Sequence, residues 1–267
     1  MTRKHPKPAF VKLRSFYIWH RYVGVSVFLL VIVLAVTGIL LNHTETWKLD
    51  STYVENDILL DWYGIQGNEP VLSYAVGNQN VNQIDDRLYL DSSRLPGRYL
   101  KLHGAVVVDD TIAIAVDNNI MVLTYNAQII EIIGGALGVP SGINAMALQD
   151  DRVIVKTPNG NYLSNEDFDE WRAVPVSNID WVRKTQLPEA QLATIQNVFR
   201  RSILPVERVM LDLHSGRIFA SWGVYVMDAA AILMLFLSLS GFWMWLVQQH
   251  KRRQHRRAQQ QHQQIHK

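Results

Sequence analysis

The chain has 267 residues, of which 48% are hydrophobic and 19% charged, with mean hydropathy near zero and no cysteine. The absence of cysteine excludes a disulfide framework and any thiolate metal site. A net charge of +2 conceals a segregation: both ends are basic, and every acidic residue lies between two apolar runs, Asp228 at the edge of the second.

The first run, Val23 to Leu41, carries no charge, and neither does the second, Ala229 to Val247. Each approaches the ~20 apolar residues that cross a hydrocarbon layer of ~30 Å as a helix. A core helix of a soluble protein seldom stays apolar on every face for so long. Arg3, Lys4, Lys7, Lys12, Arg14 and Arg21 precede the first run, and Lys251, Arg252, Arg253, Arg256, Arg257 and Lys267 follow the second. The positive-inside bias therefore predicts a multi-pass protein with both termini in the cytoplasm and the central domain outside. Juxtamembrane basic residues meet anionic lipid, so the bilayer, and no nucleic acid, is the expected partner of the tails. The first run ends Leu40-Leu41-Asn42-His43, without a small-residue cleavage site, and reads as an uncleaved anchor.

In chain order, residues 1–21 form a basic tail with Pro6 and Pro8, and 22–43 the first span, in which Thr37-Gly38 offers a small face for helix approach. Residues 44–213 form the outer domain, opening with an acidic, aromatic stretch and short alternating runs around Gly77-Asn78. Strand signals are clear after His103, in Ala105–Val108, Thr111–Val116, Ile120–Tyr125 and Gln128–Ile133, separated by Asp and Asn turn formers. Val153–Lys156 and Asn161–Leu163 flank Pro158-Asn159-Gly160 as another hairpin. This predicts an antiparallel β-meander with two blade-like repeats. Pro188–Ser202 predicts an amphipathic helix with Leu192, Ile195, Val198 and Phe199 on one face, and Leu204–Leu213 an extended stretch. Residues 214–248 hold the second span with an outer extension. Residues 249–267 form a second basic tail, read as a disordered or frayed helical end.

Of the nine histidines, His20 and His43 flank the first span, about 34 Å apart along a continuous helix. His214 approaches the second span from outside and His250 follows it. Imidazoles at both membrane faces suit the axial positions of a b-type haem, and without Cys-x-x-Cys-His a covalent attachment is excluded. Gly24, Gly38, Gly216 and Gly223 would let a flat macrocycle approach the backbone. The plainer reading is that these histidines hydrogen-bond at the membrane interface. A straight helix lifts His214 ~20 Å above the apolar core, so it meets the span region only if both helices project outward or the chain bends near Gly216. His5, His255, His262 and His266 read as solvated tail residues, and His103 as a loop histidine. Asp228, at the outer edge of the second span, is expected either to pair with Arg217 or Thr37 or to relay protons.

The flanks of both spans resemble the PepSY-associated transmembrane family. The resemblance rests on Trp19-His20-Arg21-Tyr22-Val23-Gly24 and Thr37-Gly38-Ile39-Leu40-Leu41-Asn42-His43-Thr44 in the first span. In the second it rests on Leu211-Asp212-Leu213-His214-Ser215-Gly216-Arg217, Asp228 and Ser240-Gly241-Phe242-Trp243-Met244-Trp245. It implies a bacterial inner-membrane protein linked to iron uptake, with some relatives acting as haem-containing reductases of ferric siderophores. It carries over His20, His43 and His214 as axial ligands of haem iron. Larger relatives have four spans, so a complete bundle here implies a homodimer. The expected function is electron transfer from a cytoplasmic donor to ferric iron or a ferric siderophore outside. No Gly-x-Gly-x-x-Gly is present, so a nicotinamide or flavin would belong to that donor. The competing expectation is a non-enzymatic accessory protein whose outer domain binds a transporter or envelope protein.

Overall fold

The computed structural model describes residues 10–175 and 178–265; the expectations for His5, Pro6, Pro8 and His266, and for the side chains of His255 and His262, lie outside the described residues. The chain divides into two compact units: one runs to Tyr53 and resumes at Leu204, and the other is Val54–Ile203.

The first unit is built on two helices long and apolar enough to cross a membrane, with apolar segments within Ser15–Asn42 and Arg217–Gln254. Helix α1 (Phe10–Asn42) contains the first apolar run. A second span does not simply continue from His214. Most of Leu204–Leu213, predicted to be extended, instead falls within a helix, Val206–Ser215. Pro205, with ψ of 148°, sets the entry to this helix. An Arg208–Asp212 ion pair at 3.0 Å links successive turns, and Val209 and Asp212 are buried. An apolar-polar period of 3.6 was thus present in a segment too short to outweigh its β-branched start.

The second unit is made of three antiparallel sheets, each a four-strand meander in sequence order, where two blade-like repeats were expected. The short helix α2 (Asp57–Trp62) is capped by the Asn56 side chain on Leu59 N–H and precedes the first sheet. That sheet comprises β1 (Val71–Val76), β2 (Gln79–Ile84), β3 (Arg87–Leu90) and β4 (Ser93–Arg94). The second comprises β5 (Leu102–Val108), β6 (Thr111–Val116), β7 (Asn119–Leu123) and β8 (Ile129–Ile133). The third comprises β9 (Ala145–Gln149), β10 (Arg152–Thr157), β11 (Gly160–Ser164) and β12 (Trp171–Val174). Asp109, Asp117, Asp150 and Asp151 adopt positive φ in the connecting turns, the conformation that tight hairpins demand.

Strands β6 and β7 of the middle sheet are buried on both faces, which is why they read as nearly unbroken apolar runs. Ile112, Ile114, Val116, Met121 and Leu123 pack towards the first sheet with Val81, Leu88 and Leu90. Their alternate neighbours Ala113, Ala115, Ile120 and Val122 pack towards the third with Met146, Val153 and Val155. After the third sheet the chain returns along the inner strands. Val182 N–H donates to Met146 O at 2.9 Å and Thr185 N–H to Ser73 O at 2.8 Å. A Cβ on Gly104 of β5 would lie 2.7 Å from Val182, so only glycine admits this return. Helix α3 (Glu189–Arg200) then covers the far face of the first sheet, setting Ile195 and Phe199 on Ile84 and Tyr89.

In the first unit, α4 (Val206–Ser215) is followed by a break at Gly216 and by α5 (Ala220–Ile265), which holds the second apolar run. Gly216 has φ of +79°, and a Cβ there would sit 2.3 Å from Gly223 O. The chain therefore bends at Gly216, one of the two routes open to His214. Helix α5 continues through the Gln/His/Arg-rich segment to Ile265.

Candidate functional site

Two of the three histidines carried over from the resemblance lie against the opposite membrane helix. His20 of α1 places Nδ1 2.8 Å from Ser240 Oγ of α5, and its Cε1 is 3.5 Å from where a Cβ on Gly241 would be. His214 of α4 places Nδ1 2.8 Å from Thr37 Oγ1 of α1, with its Cε1 3.6 Å from the corresponding point on Gly38. Each imidazole thus lies over a glycine and hydrogen-bonds to the hydroxyl residue just before it. Because α1 and α5 run antiparallel, shown by the pairing of His20 with Gly241 and Gly24 with Leu237, the two contacts fall at opposite ends of the helix pair. Thr37 is more than four turns along α1 from His20, so the two rings are about 25 Å apart. They cannot bind the same iron.

Ser240 Oγ is also 3.1 Å from Leu237 O, and Thr37 Oγ1 is 2.7 Å from Val33 O, each in its own helix. A hydroxyl that donates its one proton to such a carbonyl accepts from the ring. In that tautomer Nδ1 of His20 and of His214 carries the proton and Nε2 is left as the lone-pair donor. An imidazole held through Nδ1–H, with Nε2 as donor, is what ligation of a metal requires.

His43 is not drawn into either contact. It follows the end of α1, is exposed, and lies against Trp47 with ring centroids 5.0 Å apart. It lines a recess of about 450 Å³ with Glu45, Asp50 and Glu207, carboxylates that do not converge: no group of three potential metal ligands occurs among the described residues. His250 contacts Gln254 through Nε2 at 3.0 Å. Asp228 is exposed on α5 and makes neither of the contacts expected of it, with Arg217 or with Thr37, whose hydroxyl is taken by His214 and its own helix. At the basic end, Gln248 of α5 hydrogen-bonds to Tyr17 of α1.

The donor chemistry fits haem iron, since both rings are oriented through Nδ1 and their Nδ1–H tautomer leaves Nε2 to ligate. The space between the two spans of one chain does not, because all four glycines proposed to admit a macrocycle are used by protein. Gly24 faces Leu237, Gly38 faces His214, and Gly216 and Gly223 close on each other. What one chain offers is a half-site at each end.

In the second unit, His103 lies on β5, not in a loop before the meander. Its Nδ1 is buried without a partner, and its pKa is lowered first by burial and then by Lys101, against opposing contributions from Asn144 and Asp117. It is a strand histidine kept neutral by its surroundings, outside the spans.

Two apolar helices tied together by paired polar contacts, with a β-rich unit inserted between them, define an integral membrane protein. The model of the family described as PepSY-associated TM region matches residues 146–267, bearing out the resemblance read from the sequence. The matched part includes His214, Asp228 and Ser240-Gly241, whereas His20 and Thr37-Gly38 lie before it. No curated protein matches the chain. Among solved structures, it is similar to the extracellular domain of BT4673, described as a one-component system, from B. thetaiotaomicron. The identity is 18% and the TM-score 0.33, and the match spans 40% of this chain but only 16% of that one.

Proposed function

We propose that this protein is a haem b-binding component of the bacterial inner membrane that supports reduction of ferric iron or a ferric siderophore outside. The observation that carries the reading is the matched setting of His20 and His214: each places Nδ1 2.8 Å from a hydroxyl of the opposite helix, an arrangement that suits the Nδ1–H tautomer with Nε2 as lone-pair donor. His20 and His214 would each supply one axial nitrogen. The second nitrogen would come from a second copy of the chain, or from His250 at the basic end and His43 at the other. A haem so held supplies one-electron chemistry. The chain's own part is to orient the rings, exclude water between the helices and hold the two levels about 25 Å apart. The basic flanks support an orientation with His20 towards the cytoplasm, where a separate donor protein would dock, and His214 outside. A homodimer supplies the four helices that a bundle needs and a second face to cover Asp228.

The test is the absorption spectrum of purified full-length protein after haem supplementation, with the haem-to-protein ratio of His20→Ala and His214→Ala. The expected result is a Soret band in the wild type and a lower ratio in each variant. Absence of the band, or wild-type spectra from both variants, overturns the proposal.

A second reading is favoured by the same hydrogen bonds seen as staples. They tie α1 to α4 and α5, and interhelical polar contacts of this kind hold membrane helices together without any cofactor. The protein would then be a non-enzymatic accessory that presents its β-rich unit to a transporter or envelope protein. In that case both alanine variants weaken helix association, read by proteolysis in detergent, in a protein with no Soret band.

A further inference from the structure

The far face of the first sheet is only partly covered by α3. Where the helix begins, a cleft of about 340 Å³ opens, lined by Asn78, Asn80, Asn82 and Asp91 on the sheet side and by Gln191 and Thr194 on the helix side. Its size lies within the ~300–1,000 Å³ of small-molecule sites. Asn80 and Asn82 share a face because they are two apart on β2, and on the same face Ile84 packs under α3.

The floor of this cleft is polar, buried and unsatisfied. Asn82 is 2% exposed, and its Nδ2 donates to Asp91 O at 2.9 Å, but its Oδ1 has no partner. A buried orphan of this kind costs about 1–3 kcal/mol unless something in the cleft bonds to it.

The lining restricts what that is. Amides and hydroxyls both donate and accept, as vicinal sugar hydroxyls do. No Lys, Arg or His lines the cleft, so an anion would find no counter-charge there. Leu187, Ala190 and Ile195 provide an apolar wall on which the C–H face of a pyranose ring can rest. We propose that this cleft binds a neutral saccharide unit, with Asn82 Oδ1 bonding to one of its hydroxyls and Gln191 and Asn80 closing the rim. The proposal is independent of haem and of the membrane helices.

The experiment uses the full chain in a detergent without a sugar headgroup. It is titrated calorimetrically with neutral di- and trisaccharides of glucose and of N-acetylglucosamine, with sialylated trisaccharides as the anionic comparison. Binding of a neutral saccharide is expected, weakened about tenfold or more by Gln191→Ala and by Asn80→Ala. Asn82→Leu should abolish binding, although it also removes the bond to Asp91 O. If Asn82→Leu does not fold, the two rim variants decide. The proposal is overturned if no neutral saccharide binds, if only the anionic ones bind, or if both rim variants bind like the wild type.

Discussion

The helix-to-helix contacts of the membrane unit and the interior of the β-rich unit treat polar groups differently, although Ser215 Oγ of α4, outside those contacts, is also buried without a partner. In the membrane helices, His20, Ser240, Thr37 and His214 are all paired, and each hydroxyl makes a second bond to its own helix. In the β-rich unit, Ser73, Asn82 and His103 each keep a buried polar atom without a partner. Solvent explains the difference. In hydrocarbon no water can satisfy a group that a fluctuation exposes, so every polar side chain between spans needs a permanent partner. A unit bathed in water can leave a group open, to be met by water or by a ligand.

The contrast can be broken most severely at the bend. Gly216→Val should have the largest effect, because φ of +79° disfavours any side chain and a Cβ there meets Gly223 O at 2.3 Å. It should separate α4 from α1 while leaving the β-rich unit folded, read as new protease cleavage near residue 216 in a protein that keeps its β circular-dichroism signal. Ile114→Ala strikes only the other unit. Ile114 is fully buried in the middle sheet, and its truncation should cost about 2–5 kcal/mol in denaturant unfolding of that unit, without changing the helix pair.

Smaller changes sharpen the comparison. Thr37→Val removes the acceptor for His214 Nδ1–H but keeps the shape. It should weaken the α1–α4 contact by about 0.6–1.7 kcal/mol, and Thr37→Ser should restore it. Where haem is bound, Thr37→Val should also move its reduction potential, which a purely structural hydroxyl would not do. The smallest effect is at His103. Its folded pKa lies below the usual 6.5, so below that pH the unfolded chain binds the extra proton more readily than the folded one. Stability of the β-rich unit is then fully present above pH 6.5 and declines as pH falls towards the folded pKa. His103→Phe should flatten the melting temperature between pH 7.5 and 5; an unaltered slope would show that other groups cause it.

Local pattern revealed the spans, the middle sheet, the central hairpin of the third sheet and α3, because their apolar residues lie in continuous runs or at short, regular spacing. The first sheet was hidden by its own chemistry. Strand β2 reads Gln-Asn-Val-Asn-Gln-Ile, yet Asn82 and Gln83 are buried, and Gln83 satisfies Leu102 N–H with Oε1 and Tyr99 O with Nε2. Such amide bonds span residues distant in sequence and leave no periodic mark. The histidine contacts were half legible. Thr37-Gly38 stood out as a small face, and Ser240-Gly241 is the same kind of pair on the other span, a repetition that could have linked the two. That His214 rather than His43 would use it depended on the bend at Gly216, which local propensity does not dictate.

The repetition has a consequence for how the protein enters a bilayer. An imidazole near the start of each arm rests on a hydroxyl–glycine pair near the end of the other. Turned end over end, the hairpin presents the same fastening at the same two depths. Its packing is therefore indifferent to direction, and the sense of insertion is left to the lysines and arginines outside the spans.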